Sequence, residues 1–251
     1  MLSILAPSKT MDAAPVDSVI AATSPLFMQH ATEIAHAVRD VDDIAQFMKV
    51  SPSIATTVQD MYRQWGDAVK PSMYMYRGDV YKGFYADTLG TGDIQWAQDH
   101  IMIASGLYGL LRPLDKISRY RLEMRAQLSV TGHANLYDFW GDQLATAADE
   151  RANGTICILS SEEYARPIRK FATSRIVTPV FMDHKPNGTI GQVPIYSKMM
   201  RGVMARWIID NRVDTPEGLV PFDRFGYVHD ASRSTSEAPV FLREKMIPLV
   251  F

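Results

Sequence analysis

The chain has 251 residues, 47% of them hydrophobic and 22% charged, which speaks against disorder except at tips and the tail and suits one large globular domain or two small ones. No run reaches the roughly 20 apolar residues of a membrane span, the first seven residues lack the pattern of a signal peptide, and a single cysteine excludes an internal disulfide. The formal net charge of −2 speaks against a generic nucleic-acid binder, and the whole reads as a cytoplasmic protein with no membrane partner and no obligate protein partner evident.

Met1 to Leu5 predicts a short buried strand ended by Ala6-Pro7. Residues 24 to 65 read as helix in two or three pieces, with Ser24-Pro25 and Ser51-Pro52 as start signals and Ile34, Ala37, Val38 and Val41 at helical spacing. Met73 to Tyr76 and Val80 to Tyr85 are aromatic-rich strand candidates around Arg77-Gly78-Asp79. Ile101 to Ala104 is a brief apolar run broken by Ser105-Gly106, and Leu136 to Ala152 predicts a helix closed by Asn153-Gly154. Thr155 to Leu159 reads as a strand in which Cys157 is a small buried hydrophobe. Ser160 to Glu163 has the form of a capping box that opens a helix. Arg175 to His184 and Thr189 to Tyr196 predict a hairpin across Pro186-Asn187-Gly188. Ser197 to Val213 reads as an amphipathic helix, with Met199, Met200, Val203, Met204 and Trp207 inward and Lys198, Arg201 and Arg212 outward. Val240 to Leu242 adds an edge strand. The expectation is a single α/β domain over residues 1–251, a mixed sheet flanked by helices, with no internal repeat and no linker.

The charge is unevenly distributed. Residues 1–100 hold 7 basic and 12 acidic side chains, residues 105–130 five and two, and residues 160–212 nine and four. Phosphates respond to such a local field rather than to the total. Within the basic middle, Ala104-Ser-Gly-Leu-Tyr-Gly-Leu-Leu-Arg-Pro-Leu-Asp115 places Gly106 and Gly109 three apart, with Arg112 one turn on. Two glycines leave backbone amides open to an oxyanion, as in the turn of a helix-hairpin-helix element; the alternative is a plain tight turn beneath the core. The phosphate loop, the dinucleotide fingerprint and the nucleophile elbow do not occur, and no cofactor is expected. Glu33-Ile-Ala-His36 has a di-iron spacing but no second copy, so no metal site is expected.

The same segment occurs with Ala6-Pro-Ser-Lys-Thr-Met-Asp12, Tyr76-Arg-Gly-Asp-Val-Tyr81, Leu136-Tyr-Asp-Phe-Trp-Gly141, Ser160-Ser-Glu-Glu-Tyr164 and Met200-Arg-Gly-Val-Met-Ala-Arg206. In this order the blocks resemble the bacterial YaaA family. The resemblance implies an α/β fold with a positively charged cleft and a helix-hairpin-helix-like element. It also implies binding of double-stranded DNA and a role in limiting iron-driven oxidative damage during peroxide stress. Departures fall at Ala6-Pro7-Ser8-Lys9-Thr10, at Arg166 in place of a lysine, and at Met199-Met200-Arg201-Gly202; they put lysine-specific chemistry in doubt and leave phosphate binding in place.

The DNA-binding reading lines the cleft with Lys9, Arg77, Lys82, Arg112, Arg119, Arg121, Lys198 and Arg201, while Gly106 and Gly109 shape the hairpin. A second reading is an enzyme acting on a phosphorylated or nucleotide substrate in the same cleft, with Lys9, Ser160, Glu162, Glu163 and Tyr164 as acid-base candidates; its catalytic residues are unknown. A third is a protein that sequesters iron directly.

Overall fold

A computed structural model describes residues 1–16, 20–67, 69–245 and 249. The first half runs β1 (Leu2–Leu5), β2 (Thr10–Met11), α1 (Met28–Arg39), α2 (Ile44–Met48), α3 (Pro52–Arg63), β3 (Lys70–Pro71), α4 (Ser72–Met75), β4 (Tyr76–Arg77), α5 (Asp79–Phe84) and α6 (Thr91–His100). The middle runs β5 (Ile101–Ser105), β6 (Gly109–Leu111), β7 (Lys116–Ile117), α7 (Leu136–Trp140), α8 (Gln143–Asp149), β8 (Thr155–Leu159) and α9 (Glu162–Phe171). The chain then forms β9 (Arg175–Val177), β10 (Val180–His184), β11 (Ile190–Gly191), α10 (Pro194–Asp210), β12 (Tyr227–His229) and β13 (Val240–Arg243).

The main sheet has the order β6-β5-β1-β8-β9, parallel except for β6. Its middle strands are continuous apolar runs because helices cover both faces: every residue of β1 and β5 is buried. Cys157 sits fully buried in β8, where burial pushes its thiol up to about 12. The chain leaves β1 for β5 on one side and leaves β8 for β9 on the other. The carboxyl ends of β1 and β8 therefore flank a topological switch point, where open α/β sheets form their crevice.

A second sheet, β11-β10-β13-β12, is pinned by a buried trio: Arg243 donates from Nε to Asp183 Oδ1 at 2.7 Å, and Tyr227 donates to the same carboxylate at 2.9 Å. The strand expected at an edge, Val240 to Leu242, lies inside this sheet between β10 and β12. The expected hairpin forms over a short stretch, pairing Asp183 with Gly191 and His184 with Ile190, and gives way to α10 at Pro194.

Ser51 caps α3 as its sequence predicts, accepting from the Ile54 amide, whereas α1 begins at Met28, three residues beyond Ser24-Pro25. The helix expected over residues 136–152 is divided at Gly141, whose φ is +48°.

The larger correction concerns residues 73–85. They form α4 and α5 rather than strands, and only Tyr76–Arg77 pairs, with Thr10–Met11. Tertiary packing overrides the aromatic strand propensity: α5 lies on α10 through two facing glycines. A Cβ on Gly202 would sit 1.8 Å from the Val80 carbonyl oxygen, and one on Gly83 2.5 Å from that of Met199. With α5 on one flank, α10 is buried nearly all round, from Ser197 to Ile209, instead of exposing a basic stripe. Arg212 lies past its end and pairs with Asp93 at 2.6 Å.

Candidate anion-binding cleft

At the carboxyl ends of β1 and β8 the chain encloses a cavity of about 840 Å3. One wall is the loop after β1. Tyr81 of α5 donates to the Ala6 carbonyl at 2.9 Å, and the Thr10 amide donates to Ser8 Oγ at 3.1 Å. The β2–β4 pair sets Thr10 beside Arg77, so that Lys9 and Arg77-Gly78-Asp79 share this wall. Gly78, with φ +117°, is needed here: a Cβ on it would meet Ser8 Oγ at 2.7 Å. The opposite wall comes from Tyr120 to Glu123 and Arg125, from Leu159 and from Ser161, Glu163 and Tyr164 at the start of α9; α10 contributes Lys198 and Arg201.

Seven cations line the cavity against the three carboxylates of Asp79, Glu123 and Glu163. The cations differ in how they are held. Glu123 lies between Lys9, with which it pairs, and Arg125, whose Nε donates at 2.8 Å. Burial pushes the Glu123 pKa up, but the hydrogen bonds from Lys9 and Arg125 outweigh it and hold the carboxyl below its ordinary value. Arg77 stands between Asp12 at 3.5 Å and Asp87 at 3.4 Å, and Lys82 is 3.9 Å from Asp79. Arg121, Lys198 and Arg201 have no carboxylate at ion-pair distance among the described residues. Burial lowers the Arg201 pKa, the mark of a guanidinium that has lost water without gaining an anion.

The tyrosines of the cavity are held neutral. Tyr120 exchanges hydrogen bonds of 2.7 Å with Tyr76 and with Ser105 Oγ, and burial raises the pKa of both Tyr120 and Tyr164 far above the ordinary phenol value. Seven cations against three carboxylates, of which Glu123 is already paired with Lys9 and Arg125, leave a positive surface suited to holding an anion.

Of the residues expected from sequence, Lys9, Arg77, Lys82, Arg121, Lys198 and Arg201 line this one cavity. Gly106, Gly109, Arg112 and Arg119 do not. Ser105 to Gly109 closes an antiparallel β-hairpin between β5 and β6, so the segment is the tight turn beneath the core and not a helix-hairpin-helix. Its backbone is closed by packing: the Gly106 carbonyl accepts from Trp140 Nε1 at 3.2 Å, and a Cβ on Gly109 would meet the Trp140 ring at 2.9 Å. Arg112 serves the interior, with its Nη2 2.9 Å from both Asp115 Oδ1 and the Ser24 carbonyl. Arg119 is exposed elsewhere.

Among the acid-base candidates Lys9, Glu163 and Tyr164 reach the cavity, whereas Ser160 and Glu162 do not line it. The expected capping box is absent: Ser161 is the N-cap of α9 and makes no side-chain capping bond, while the buried Ser160 Oγ has no hydrogen-bond partner among the described residues. The sequence reading missed Glu123 and Arg125 as site residues, although both lie in the basic block that held Arg121. Among the described residues no group of three His, Cys, Asp or Glu side chains is placed to hold a metal ion, and no helix is long and apolar enough to cross a membrane.

Comparison with known proteins finds the family described as "Peroxide stress protein YaaA" matching residues 1–233. A "UPF0246 protein" of Shewanella sediminis (strain HAW-EB3) is 39% identical over 257 residues, covering 98% of this chain and 100% of its own. Proteins of the same description from Ruegeria pomeroyi and Bordetella pertussis are each 38% identical, covering 97% and 98% of this chain and 98% and 100% of their own.

Proposed function

Because the chain belongs to the family of the peroxide stress protein YaaA, we propose that it serves peroxide stress by binding double-stranded DNA across the cationic cleft. In this reading it acts in the cytoplasm and limits iron-driven oxidative damage to the DNA it covers. The observation that carries the reading is the convergence of Arg121, Lys198 and Arg201, without carboxylate partners among the described residues, on one crevice of a chain whose net charge is −2. An uncompensated, partly desolvated cation gains most from an incoming phosphate.

Each phosphate neutralised contributes about −0.9 to the slope of log affinity against log salt. Three such cations predict a slope of about −3 for a short duplex, with little dependence on sequence. Titration of labelled duplex across a salt series tests this; absence of binding at low salt, or affinity that ignores salt, overturns it. A second reading is supported by the cavity's place at the switch point: an enzyme that turns over a phosphorylated or nucleotide substrate there. Turnover of such a substrate, lost in Lys9→Ala, would favour it.

A further inference from the structure

Behind the cleft lies a group of buried aromatic side chains that anion binding does not use. Tyr120 meets Tyr108 edge to face with ring centroids 5.5 Å apart, and Tyr108 meets Trp65 at 6.1 Å. Tyr120 lines the cavity, whereas Trp65 lies outside it, half-buried, just beyond α3. One oxidisable ring thus stands at the cleft, another at the surface, and a third fills the interval between them.

Packing alone does not ask for tyrosine at the inner end. The Tyr120 hydroxyl bonds to Tyr76 and to Ser105 Oγ, each at 2.7 Å. Phenylalanine at both tyrosine positions would fill nearly the same space, and Ser105 Oγ would keep the Leu107 and Tyr108 amides. Removing both partners of a buried hydrogen bond together is nearly neutral. What tyrosine has and phenylalanine lacks is a ring that gives up an electron and a proton to an oxygen radical. The surroundings of Tyr120 suit that loss, because Tyr76 and Ser105 can each donate to the oxygen of a neutral tyrosyl radical. At the far end Trp65 Nε1 donates to the Tyr108 hydroxyl oxygen at 3.1 Å, so a hydrogen bond joins the last two rings.

The family's description as a peroxide stress protein names the setting, and peroxide cleaved by a reduced metal ion yields hydroxyl radical, a one-electron oxidant. We propose that Tyr120, Tyr108 and Trp65 form a conduit that carries an oxidising equivalent from the cleft to the surface. An oxidant in the cavity takes an electron from Tyr120, whose hydroxyl proton leaves with it; hydroxyl radical becomes water. Trp65 then returns an electron to Tyr120 through the Tyr108 ring and releases its Nε1 proton to solvent. The Tyr120 oxygen takes a proton back from the cavity. In sum, one electron and one proton leave Trp65 and the oxidant is reduced. A soluble thiol restores Trp65 with a hydrogen atom: its S–H bond breaks, the N–H bond forms again, and a thiyl radical departs. An electron leaves Tyr120 without the ring having to be exposed, so its burial is no obstacle. The conduit goes beyond the DNA-binding reading and does not depend on it.

The test uses the full chain with Lys9→Cys, labelled at this exposed position with a ruthenium polypyridyl photo-oxidant; the single native cysteine, Cys157, is fully buried. A laser flash with a soluble electron acceptor generates the oxidant, and transient absorption separates tyrosyl from tryptophanyl radicals. The expected result is a tyrosyl signal that passes into a tryptophanyl one. The tryptophanyl signal is lost in Trp65→Phe and in Tyr108→Phe, and added glutathione shortens its lifetime. Absence of a tryptophanyl radical in the labelled protein overturns the proposal before any of these variants is made. A tryptophanyl signal that survives in Trp65→Phe, or in a Tyr108→Phe protein shown to be folded by circular dichroism, overturns the path. A signal that ignores glutathione overturns its exit to the surface. No DNA is present, so failure here leaves the DNA-binding reading standing, and failure of duplex binding leaves the conduit standing.

Discussion

Glu123 occupies the position an incoming phosphate would take between Lys9 and Arg125. Replacing it by glutamine keeps the shape of the side chain and removes the competing charge, so Lys9 becomes available at the rim, while Arg125 keeps Glu163 at 3.8 Å. Exposed ion pairs are worth about 0.2–1 kcal/mol. Releasing Lys9 alone therefore strengthens duplex binding about 1.4- to 5-fold, and the salt slope steepens by about 0.9 for each released cation that then meets a phosphate. Fluorescence anisotropy of a labelled duplex over a salt series, wild type beside Glu123→Gln, reads both quantities. A weaker affinity with an unchanged slope would refute the reasoning, because it would mean that Glu123 positions Lys9 rather than competing for it. The same carboxylate has a pH signature. Its folded pKa lies below the unfolded one, so its contribution to stability is present above the ordinary glutamate range and is lost as pH falls through the folded value. The thermal stability advantage of wild type over Glu123→Gln should vanish in that acid window, and an advantage that persists below it would contradict the assignment.

Three further outcomes follow from the packing. Arg112→Ala leaves the fully buried Asp115 without its guanidinium partner, and a broken pair of this kind costs about 3–5 kcal/mol; denaturant titration should show the loss while the folded protein keeps its duplex affinity. Gly202→Ala forces a methyl against the Val80 carbonyl at 1.8 Å, an overpacking cost of at least about 1–3 kcal/mol, so melting temperature and duplex binding should fall together as α10 shifts. A variant with unchanged melting temperature would deny the α5–α10 contact. The Cys157 thiol, buried and pushed up to about 12, should react with a disulfide reagent at neutral pH only as fast as the protein opens; rapid labelling of the folded chain would contradict its placement.

The interior of the fold was legible where burial leaves a direct mark on composition. Met1 to Leu5 and Thr155 to Leu159 read as strands because a parallel strand covered on both faces must be apolar throughout. Ser51-Pro52 read as a helix start because the cap is a local interaction. Residues 73–85 did not, since what bends them into helices is the approach of Gly83 to α10, more than 100 residues away in the chain. The site divided along the same line. Lys9, Arg121, Lys198 and Arg201, which follow the first strand or stud basic segments of the sequence, line one cavity. Arg112 lies outside that cavity because the buried Asp115 claims it, and that burial has no signature in the sequence. Gly106 and Gly109 signalled a turn correctly, but a turn facing Trp140 and one facing solvent share the same letters.

The most direct test of the cleft compares duplex affinity across a salt series for wild type, the Lys198→Ala/Arg201→Ala double variant and Arg119→Ala, whose exposed side chain lies outside the cavity. The account predicts that the double variant folds as well as wild type, binds more weakly and loses about 2 from its salt slope, while Arg119→Ala follows wild type. A double variant that keeps the wild-type affinity and slope would remove the cleft from DNA binding altogether.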